Sequence, residues 1–159
     1  MTKKRMVLSL VGVLLLIVGG FFAMNLWSDS ASDKPVEIDW YLLSKLDYKT
    51  GDAPRELKRL HNKMVKMPGF VVPLTDNYSV LNEFLLVPNA QACIHVPPPP
   101  PNLIVHVHLK STLPMRQVHN PSWVTGILKI ETSTSIHGQS SFKMVDAEME
   151  KYVPPRRRR

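Results

Sequence analysis

The only cysteine in the chain and a histidine two residues later stand directly before the longest proline run. In the stretch ACIHVPPPPPN, Cys93 and His95 precede five consecutive prolines. If these two residues lie on a strand, their side chains point to the same face, so a thiolate and an imidazole are presented together. Such ligands suit zinc or copper. Structural zinc needs four ligands and catalytic zinc at least three, so the other ligands must come from elsewhere in the chain.

Two more histidines share a strand face in the segment LIVHVHLK. His106 and His108 alternate there with apolar residues, and successive side chains of a strand point to opposite faces. Whether these histidines approach Cys93 depends on the register of two neighbouring strands. Symmetric pairing about Pro99 sets Cys93 opposite Val105, on the apolar face, whereas a slip of one residue sets Cys93 opposite His106. The sequence leaves both registers open.

Each candidate ligand also has a purely structural interpretation. Free cysteine is among the most buried residue types, so Cys93 fits equally well as a small core residue. For His106 and His108, a solvated strand face is a more common role than metal binding. A catalytic dyad of Cys93 and His95 is not expected, because two neighbours on one strand face stand nearly parallel. Nucleophile-elbow, phosphate-loop and HExxH motifs are missing from the sequence, so we expect no enzyme.

The proline run has two interpretations. Five prolines in a row adopt polyproline II and offer no backbone donor, so the run is stiff and cannot join a sheet. A stiff loop loses little entropy on binding, which favours a docking edge for a partner protein. Alternatively, the prolines only fix the course of a connection between strands. The residues of the docking hypothesis are Pro97, Pro98, Pro99, Pro100, Pro101 and Asn102.

The surrounding sequence predicts two helices followed by five strands. The segments PVEIDWYLLSKLDY and TGDAPRELKRLHNK have leucines at helical spacing, and Asp52 suits the N-cap of the second helix. We expect that helix to end near His61. The fold class is therefore mainly β with N-terminal helices, as a small OB-like antiparallel barrel or sandwich. Strands are expected at residues 64–74, 83–88, 103–110, 122–130 and 140–152.

The first 27 residues predict a membrane anchor. Lys3, Lys4 and Arg5 precede an uncharged, mostly apolar run from Met6 to Trp27. A helix of that length, about 33 Å, spans a bilayer. No small-x-small cleavage site follows, which favours an uncleaved signal anchor over a cleaved signal peptide. The positive-inside rule then places the rest of the chain outside the cytoplasm.

The domain boundaries and the partners follow from this anchor. We expect an anchor over residues 1–27, a linker over 28–35, a periplasmic β-rich domain over 36–153 and a basic tail over 154–159. The net charge of +7 arises at the two termini, and the chain between them carries 13 basic and 13 acidic residues. A neutral domain without a basic stripe argues against nucleic-acid binding. The predicted location is the bacterial inner membrane, crossed once.

The sequence resembles a known bacterial family. The combination of KMPGFVVPL, NEFLLVP and ACIHVPPPPPN, followed by a β-rich run, resembles the family called domain of unknown function 3299. The resemblance covers residues 64–107 closely and 40–152 more loosely. It implies a small exported or membrane-anchored protein without an established activity, and it places Cys93, His95 and the proline run on the family signature. Some members are encoded in zinc-responsive clusters beside ABC-type permeases.

Together these observations favour two functional hypotheses over a third, a thiol-dependent enzyme. The first is a membrane-anchored periplasmic accessory protein that takes part in zinc homeostasis alongside an ABC-type transporter. Its metal ligands would be Cys93 and His95, with His106 and His108 as weaker candidates. The second is a protein-interaction module that uses the proline run and binds no metal. In this second hypothesis the partner is a permease or another periplasmic protein.

Overall fold

Six strands and two short helices form the part of the chain that the computed structural model describes, which comprises residues 34–74, 79–90, 99–135 and 138–154. Within these ranges no helix has both the length and the apolar character to cross a membrane. The predicted anchor over residues 1–27 lies outside them. The helices are α1 (Trp40–Ser44) and α2 (Arg55–Lys58), and the strands are β1 (Val36–Glu37), β2 (Lys63–Pro73), β3 (Val80–Val87), β4 (Val105–Pro114), β5 (Ser122–Ser135) and β6 (Gly138–Lys151).

Both predicted helices are present but shorter than expected. Helix α1 begins where the Asp39 carboxylate accepts the backbone N–H of Leu42 at 2.9 Å, as an N-cap does. Helix α2 begins after Pro54 rather than after Asp52, and its last residue is Lys58. The chain leaves helical geometry before the predicted end near His61. Tertiary packing holds these short helices, because α1 buries Leu43 and α2 buries Leu57.

The strands form one mixed sheet in the order β1-β2-β3-β4-β6-β5, and β2 also pairs with β5. The predicted mainly β fold with few helices is confirmed. The sheet is not the regular antiparallel barrel or sandwich that was expected, since β1 pairs parallel with β2 and β4 pairs parallel with β6. The second parallel pair has a simple origin. From β2 onward each strand reverses direction, so β4 and β6 run the same way when they become neighbours.

Strand β3 is buried on both faces, as its continuous apolar run predicts. Phe84 and Leu86 belong to the main hydrophobic core, whereas Leu85 and Val87 belong to a second, smaller cluster with Ile104. Because side chains alternate along a strand, these two clusters mark the two faces of the sheet. The second face is the one that carries the candidate site.

A bulge in β6 lies beside a glycine of β5. The register of β5 against β6 shifts between Thr125 and Ile127, and Asp146 of β6 has a positive φ of 52°. A Cβ atom on Gly126 would lie 2.7 Å from Cγ of Met144 and 2.9 Å from the carbonyl oxygen of Val145. Only glycine therefore allows β6 to approach β5 this closely, and the bulge strengthens the local twist.

Candidate functional site

The residues first predicted to bind metal lie outside the described ranges. These are Cys93 and His95, and the first two prolines of the docking hypothesis, Pro97 and Pro98, lie there with them. Their roles remain predictions.

The pairing of β4 is defined at Val105 and His106, the two positions that were considered opposite Cys93. His106 pairs with Leu85 of β3 on one edge of β4 and with Lys143 of β6 on the other edge. Val105 likewise has a partner on each side. Both edges of β4 are therefore paired with described strands at these two positions. Cys93 itself lies outside the described ranges, so the register of its segment remains a prediction.

The structure instead places a glutamate beside the two histidines of β4. His108 is paired directly with Glu83 of β3, and His106 is paired with Leu85. Residues two apart on a strand share a face, and so do directly opposed residues on neighbouring strands. Glu83, His106 and His108 therefore project from the same face of the sheet. Two rigid strands, rather than a loop, position all three side chains.

The three side chains meet at one point. Nε2 of His106 lies 2.5 Å from Oε1 of Glu83, and Nε2 of His108 lies 3.9 Å from the same oxygen. The centroids of the two imidazole rings are 4.6 Å apart, and the rings are inclined by 39°. One ligand atom from each residue can be chosen so that all three lie within 4.8 Å of one another. Glu83 is thus the common neighbour of both histidines.

A serine from β5 completes the surroundings of His106. Nδ1 of His106 lies 2.6 Å from Oγ of Ser133, so both ring nitrogens have a partner. The register of β5 against β6 shifts between Ile130 and Ser133, and such a bulge can redirect a side chain. When Glu83 is ionised, Nε2–H of His106 donates to the carboxylate and Nδ1 accepts the Ser133 hydroxyl. This tautomer is assigned from the hydrogen bonds.

Burial distinguishes the two histidines. The side chain of His106 is 7% exposed, whereas those of Glu83 and His108 are 38% and 36% exposed. The expected solvated role is therefore wrong for His106. The Nε2 atom of His108 is itself buried, and no hydrogen-bond partner for it exists among the described residues. A buried ring nitrogen that lacks a hydrogen-bond partner and lies 3.9 Å from a carboxylate oxygen can serve as a metal ligand in its unprotonated form.

The electrostatic surroundings keep His108 neutral. Burial lowers its pKa most, and the neighbouring His106 and Lys143 lower the pKa further, while the Glu83 carboxylate opposes this shift. A metal ion competes with a proton for imidazole nitrogen, so a lowered pKa favours the metal-binding form near neutral pH.

The ligand set has a recognisable coordination chemistry. Two imidazoles and one carboxylate form a common zinc site that leaves a fourth position open. Two ligand atoms on a tetrahedral zinc ion lie about 3.3 Å apart, given bonds of about 2.0 Å. The observed separations of 2.5 Å and 3.9 Å from Glu83 lie on either side of that value. Zinc binding would therefore require small side-chain movements and a shift of the His106 proton from Nε2 to Nδ1, where it can be donated to Oγ of Ser133.

Sequence reasoning identified His106 and His108 but missed Glu83 and Ser133. The alternation in LIVHVHLK placed the histidines on one face. No local pattern marks Glu83 or Ser133, because their contacts depend on the pairing of β3 with β4 and on the bulge in β5. A search for acidic residues in the neighbouring strand would have included Glu83.

The last residues of the proposed docking loop have an internal role. Residues Pro101–Leu103 form one turn of 3-10 helix, and Asn102 is only 9% exposed. Its side-chain amide donates to the carbonyl oxygens of Ser44 at 3.0 Å and Leu46 at 2.9 Å. Ser44 is the last residue of helix α1 and Leu46 follows its C-cap, where backbone acceptors lack partners within the helix. Asn102 therefore connects the proline run to the N-terminal helix.

Replacing Asn102 with alanine should destabilise the protein by about 1–3 kcal/mol, because two carbonyl groups lose their donor. Urea unfolding of the full chain measures this change. Asn89 is exposed, so Asn89→Ala is the control and should be nearly neutral. Equal unfolding midpoints for the two variants would contradict the structural role of Asn102.

Acid should destabilise the metal-free protein in part through His108. The folded-state pKa of His108 lies below its ordinary value of 6.5. As the pH falls through the ordinary pKa, the unfolded chain takes up a proton on His108 before the folded chain does. Stability therefore decreases until the pH lies below the folded-state pKa. We expect His108→Gln to reduce the fall in melting temperature between about pH 7.5 and pH 5.5, measured with a chelator present. An unchanged fall would contradict this assignment, and His119→Gln, at an exposed position, is the matched control.

Comparison with known proteins adds a family match without a chemical role. The model of DUF3299, described as a protein of unknown function, matches residues 45–151, a range that includes Glu83, both histidines and Ser133. The chain is also similar to the crystal structure of a DUF3299 family protein from Pseudomonas aeruginosa PAO1. The sequences are 28% identical, the match covers 76% of this chain and 99% of that one, and the TM-score is 0.59. No curated protein matches the chain.

Proposed function

Since the chain belongs to the DUF3299 family of proteins of unknown function, we propose a function from its own residues: a non-enzymatic, membrane-anchored periplasmic accessory protein that binds zinc through Glu83, His106 and His108. One observation carries this proposal. Two imidazoles and a carboxylate converge within 4.8 Å on rigid strands, and one ring nitrogen is buried without a partner among the described residues.

The balance of exposure in the site suits a protein that exchanges its metal. His106 is buried and held by Ser133, so it provides a fixed ligand. Glu83 and His108 remain more than one third exposed, so an incoming ligand can approach the ion. A fully closed site of four protein ligands would hold zinc structurally, whereas three ligands leave room for exchange. This supports a role in zinc handling rather than in stabilising the fold.

We further infer that the sheet is an irregular OB-like barrel. Its pairings run from β2 through β3, β4, β6 and β5 back to β2, with β1 added at the edge of β2. OB-folds bind ligands on the face of their second and third strands and at two of their loops. Strands β3 and β4 hold those positions, and Ser133 belongs to the β5–β6 hairpin. The likeness supports a binding role for this face by fold analogy alone.

The cellular setting of the proposal comes from the sequence. The apolar run Met6–Trp27 behind a basic start supports an anchor in the inner membrane with the β-rich domain in the periplasm. The family resemblance supports a partnership with an ABC-type permease. In this setting the protein presents zinc, or accepts it, at the membrane surface.

The interaction module that binds no metal remains the second candidate. It is supported by the stiff proline run, in which Pro100 is exposed, and by the anchoring of that run through Asn102. This candidate predicts that capture of a membrane partner depends on the prolines and is unaffected by a chelator. The zinc proposal predicts that a chelator weakens capture.

Calorimetric titration of the full chain in detergent with zinc tests the proposal and compares the two ligand sets. We expect one zinc ion per chain. The double variant His106→Gln, His108→Gln should lose binding, and the double variant Cys93→Ser, His95→Gln should keep it. The opposite pattern would move the metal to Cys93 and His95, and an absence of binding in the unmodified chain would refute the zinc function.

A further inference from the structure

Two lysines continue the row of side chains that begins at His106. Across the sheet, His106 of β4 is paired with Lys143 of β6, and Lys143 is paired with Lys129 of β5. Directly opposed residues on neighbouring strands share a face. The row His106, Lys143, Lys129 therefore lies on the face that carries the candidate zinc site. Adjacent strands are about 4.8 Å apart, so the two ammonium groups can approach the site from one side.

These two lysines have no acidic partner in the described part of the chain. Like charges directly opposite each other on neighbouring strands destabilise a sheet. Lys129 and Lys143 are also only partly exposed, so water screens their repulsion less than it would at a fully exposed position. Two unpaired lysines in this arrangement favour an external anion as their binding partner.

The charges of the proposed zinc site also favour a bound anion. A zinc ion bound by one carboxylate and two neutral imidazoles keeps a net positive charge, and its fourth position is open. Lys143 is paired directly with His106, so its positive charge lies in the same row of side chains as a proposed zinc ligand. A ligand that enters the open position therefore meets the metal on one side and two ammonium groups on the other.

We propose that the site binds its metal together with a multivalent oxyanion of the phosphate type. One oxygen of the anion occupies the fourth position on the metal, and other oxygens accept hydrogen bonds from the ammonium groups of Lys143 and Lys129. A monovalent carboxylate has too few oxygens and too little charge to satisfy the metal and both lysines. This inference rests on the proposed zinc function, since without the metal the anion loses its central contact.

Cobalt absorption spectroscopy separates the two claims. The full chain is loaded with Co²⁺, a spectroscopic substitute for zinc, and the visible bands of the metal are followed as inorganic phosphate is added at constant ionic strength. We expect a saturable spectral change, with acetate at least about tenfold weaker than phosphate. Each of Lys143→Met and Lys129→Met should weaken phosphate binding by about tenfold, the scale of one charged hydrogen bond.

A distant lysine provides the matched control. Lys151 is exposed and lies at the end of β6, eight residues and roughly 26 Å from Lys143 along the strand. Lys151→Met removes the same charge, and we expect it to leave the affinity for phosphate unchanged. Three results would overturn the oxyanion proposal without affecting the metal site. They are a spectrum that phosphate does not change, acetate binding as tight as phosphate binding, and equal phosphate affinities in all three variants. A chain that binds no Co²⁺ at all would overturn both.

Discussion

Replacing Glu83 with glutamine is expected to lower zinc affinity by at least about 100-fold, more than the loss of a residue that only supports a ligand. The glutamate is the carboxylate near both histidines among the described residues, at 2.5 Å from His106 and 3.9 Å from His108. Glutamine has nearly the same shape, but its amide is neutral and is not among the usual zinc ligands. Zinc would then be left with two imidazoles and without the negative charge that balances it.

The measurement is a competition titration of zinc with a chromogenic chelator. Glu150→Gln is the matched control, because this carboxylate is 68% exposed and contacts Lys66 rather than the site. The control should bind zinc as the unmodified chain does. Thermal unfolding of both metal-free variants establishes that each is folded. A Glu83→Gln variant that is folded and binds zinc within about twofold of the unmodified chain would rule out Glu83 as a ligand.

Replacing Phe142 with alanine should lower the free energy of unfolding by about 3–5 kcal/mol, the usual cost of removing a buried aromatic side chain. Phe142 is completely buried and lies in β6 between Val105 of β4 and Ile130 of β5, with which it is paired. It thus packs in the core directly behind the face that carries His106 and Lys143. A cavity at this position weakens the contact between all three strands.

Urea unfolding of the full chain measures the effect of Phe142→Ala. Tyr41 is 70% exposed, so Tyr41→Ala removes an aromatic ring of similar size and should change stability by no more than about 0.5 kcal/mol. We also expect Phe142→Ala to weaken zinc binding less than it weakens the fold, since the ligands themselves remain. A loss of stability below about 1 kcal/mol would contradict the position of Phe142 in the core.

Most strands could be predicted from the sequence, because the order of apolar and polar residues along a strand reflects which of its faces are buried. Alternation in LIVHVHLK correctly placed Val105 and Val107 in the core, and the continuous run in β3 correctly indicated two covered faces. The helices were harder to delimit. Their few buried residues, such as Leu43 and Leu57, fix their positions through packing and not through helix propensity.

The candidate site depends on contacts that local patterns do not encode. Glu83 and His108 become neighbours only because β3 pairs with β4 across the segment that contains the prolines, and Ser133 reaches His106 beyond a bulge. A shift of one residue would send Glu83 to the opposite face. The position of Cys93 relative to Val105 and His106 stays a prediction, because Cys93 lies outside the described residues.

The X-ray absorption spectrum at the zinc edge of the zinc-loaded full chain is the most direct test of the zinc site. Binding by Glu83, His106 and His108 predicts two imidazole nitrogens and additional oxygen at about 2.0–2.2 Å, with no sulfur. The two imidazole rings should produce the characteristic multiple-scattering features in that spectrum. A sulfur ligand at about 2.3 Å would assign the metal to Cys93 instead and contradict the site described above.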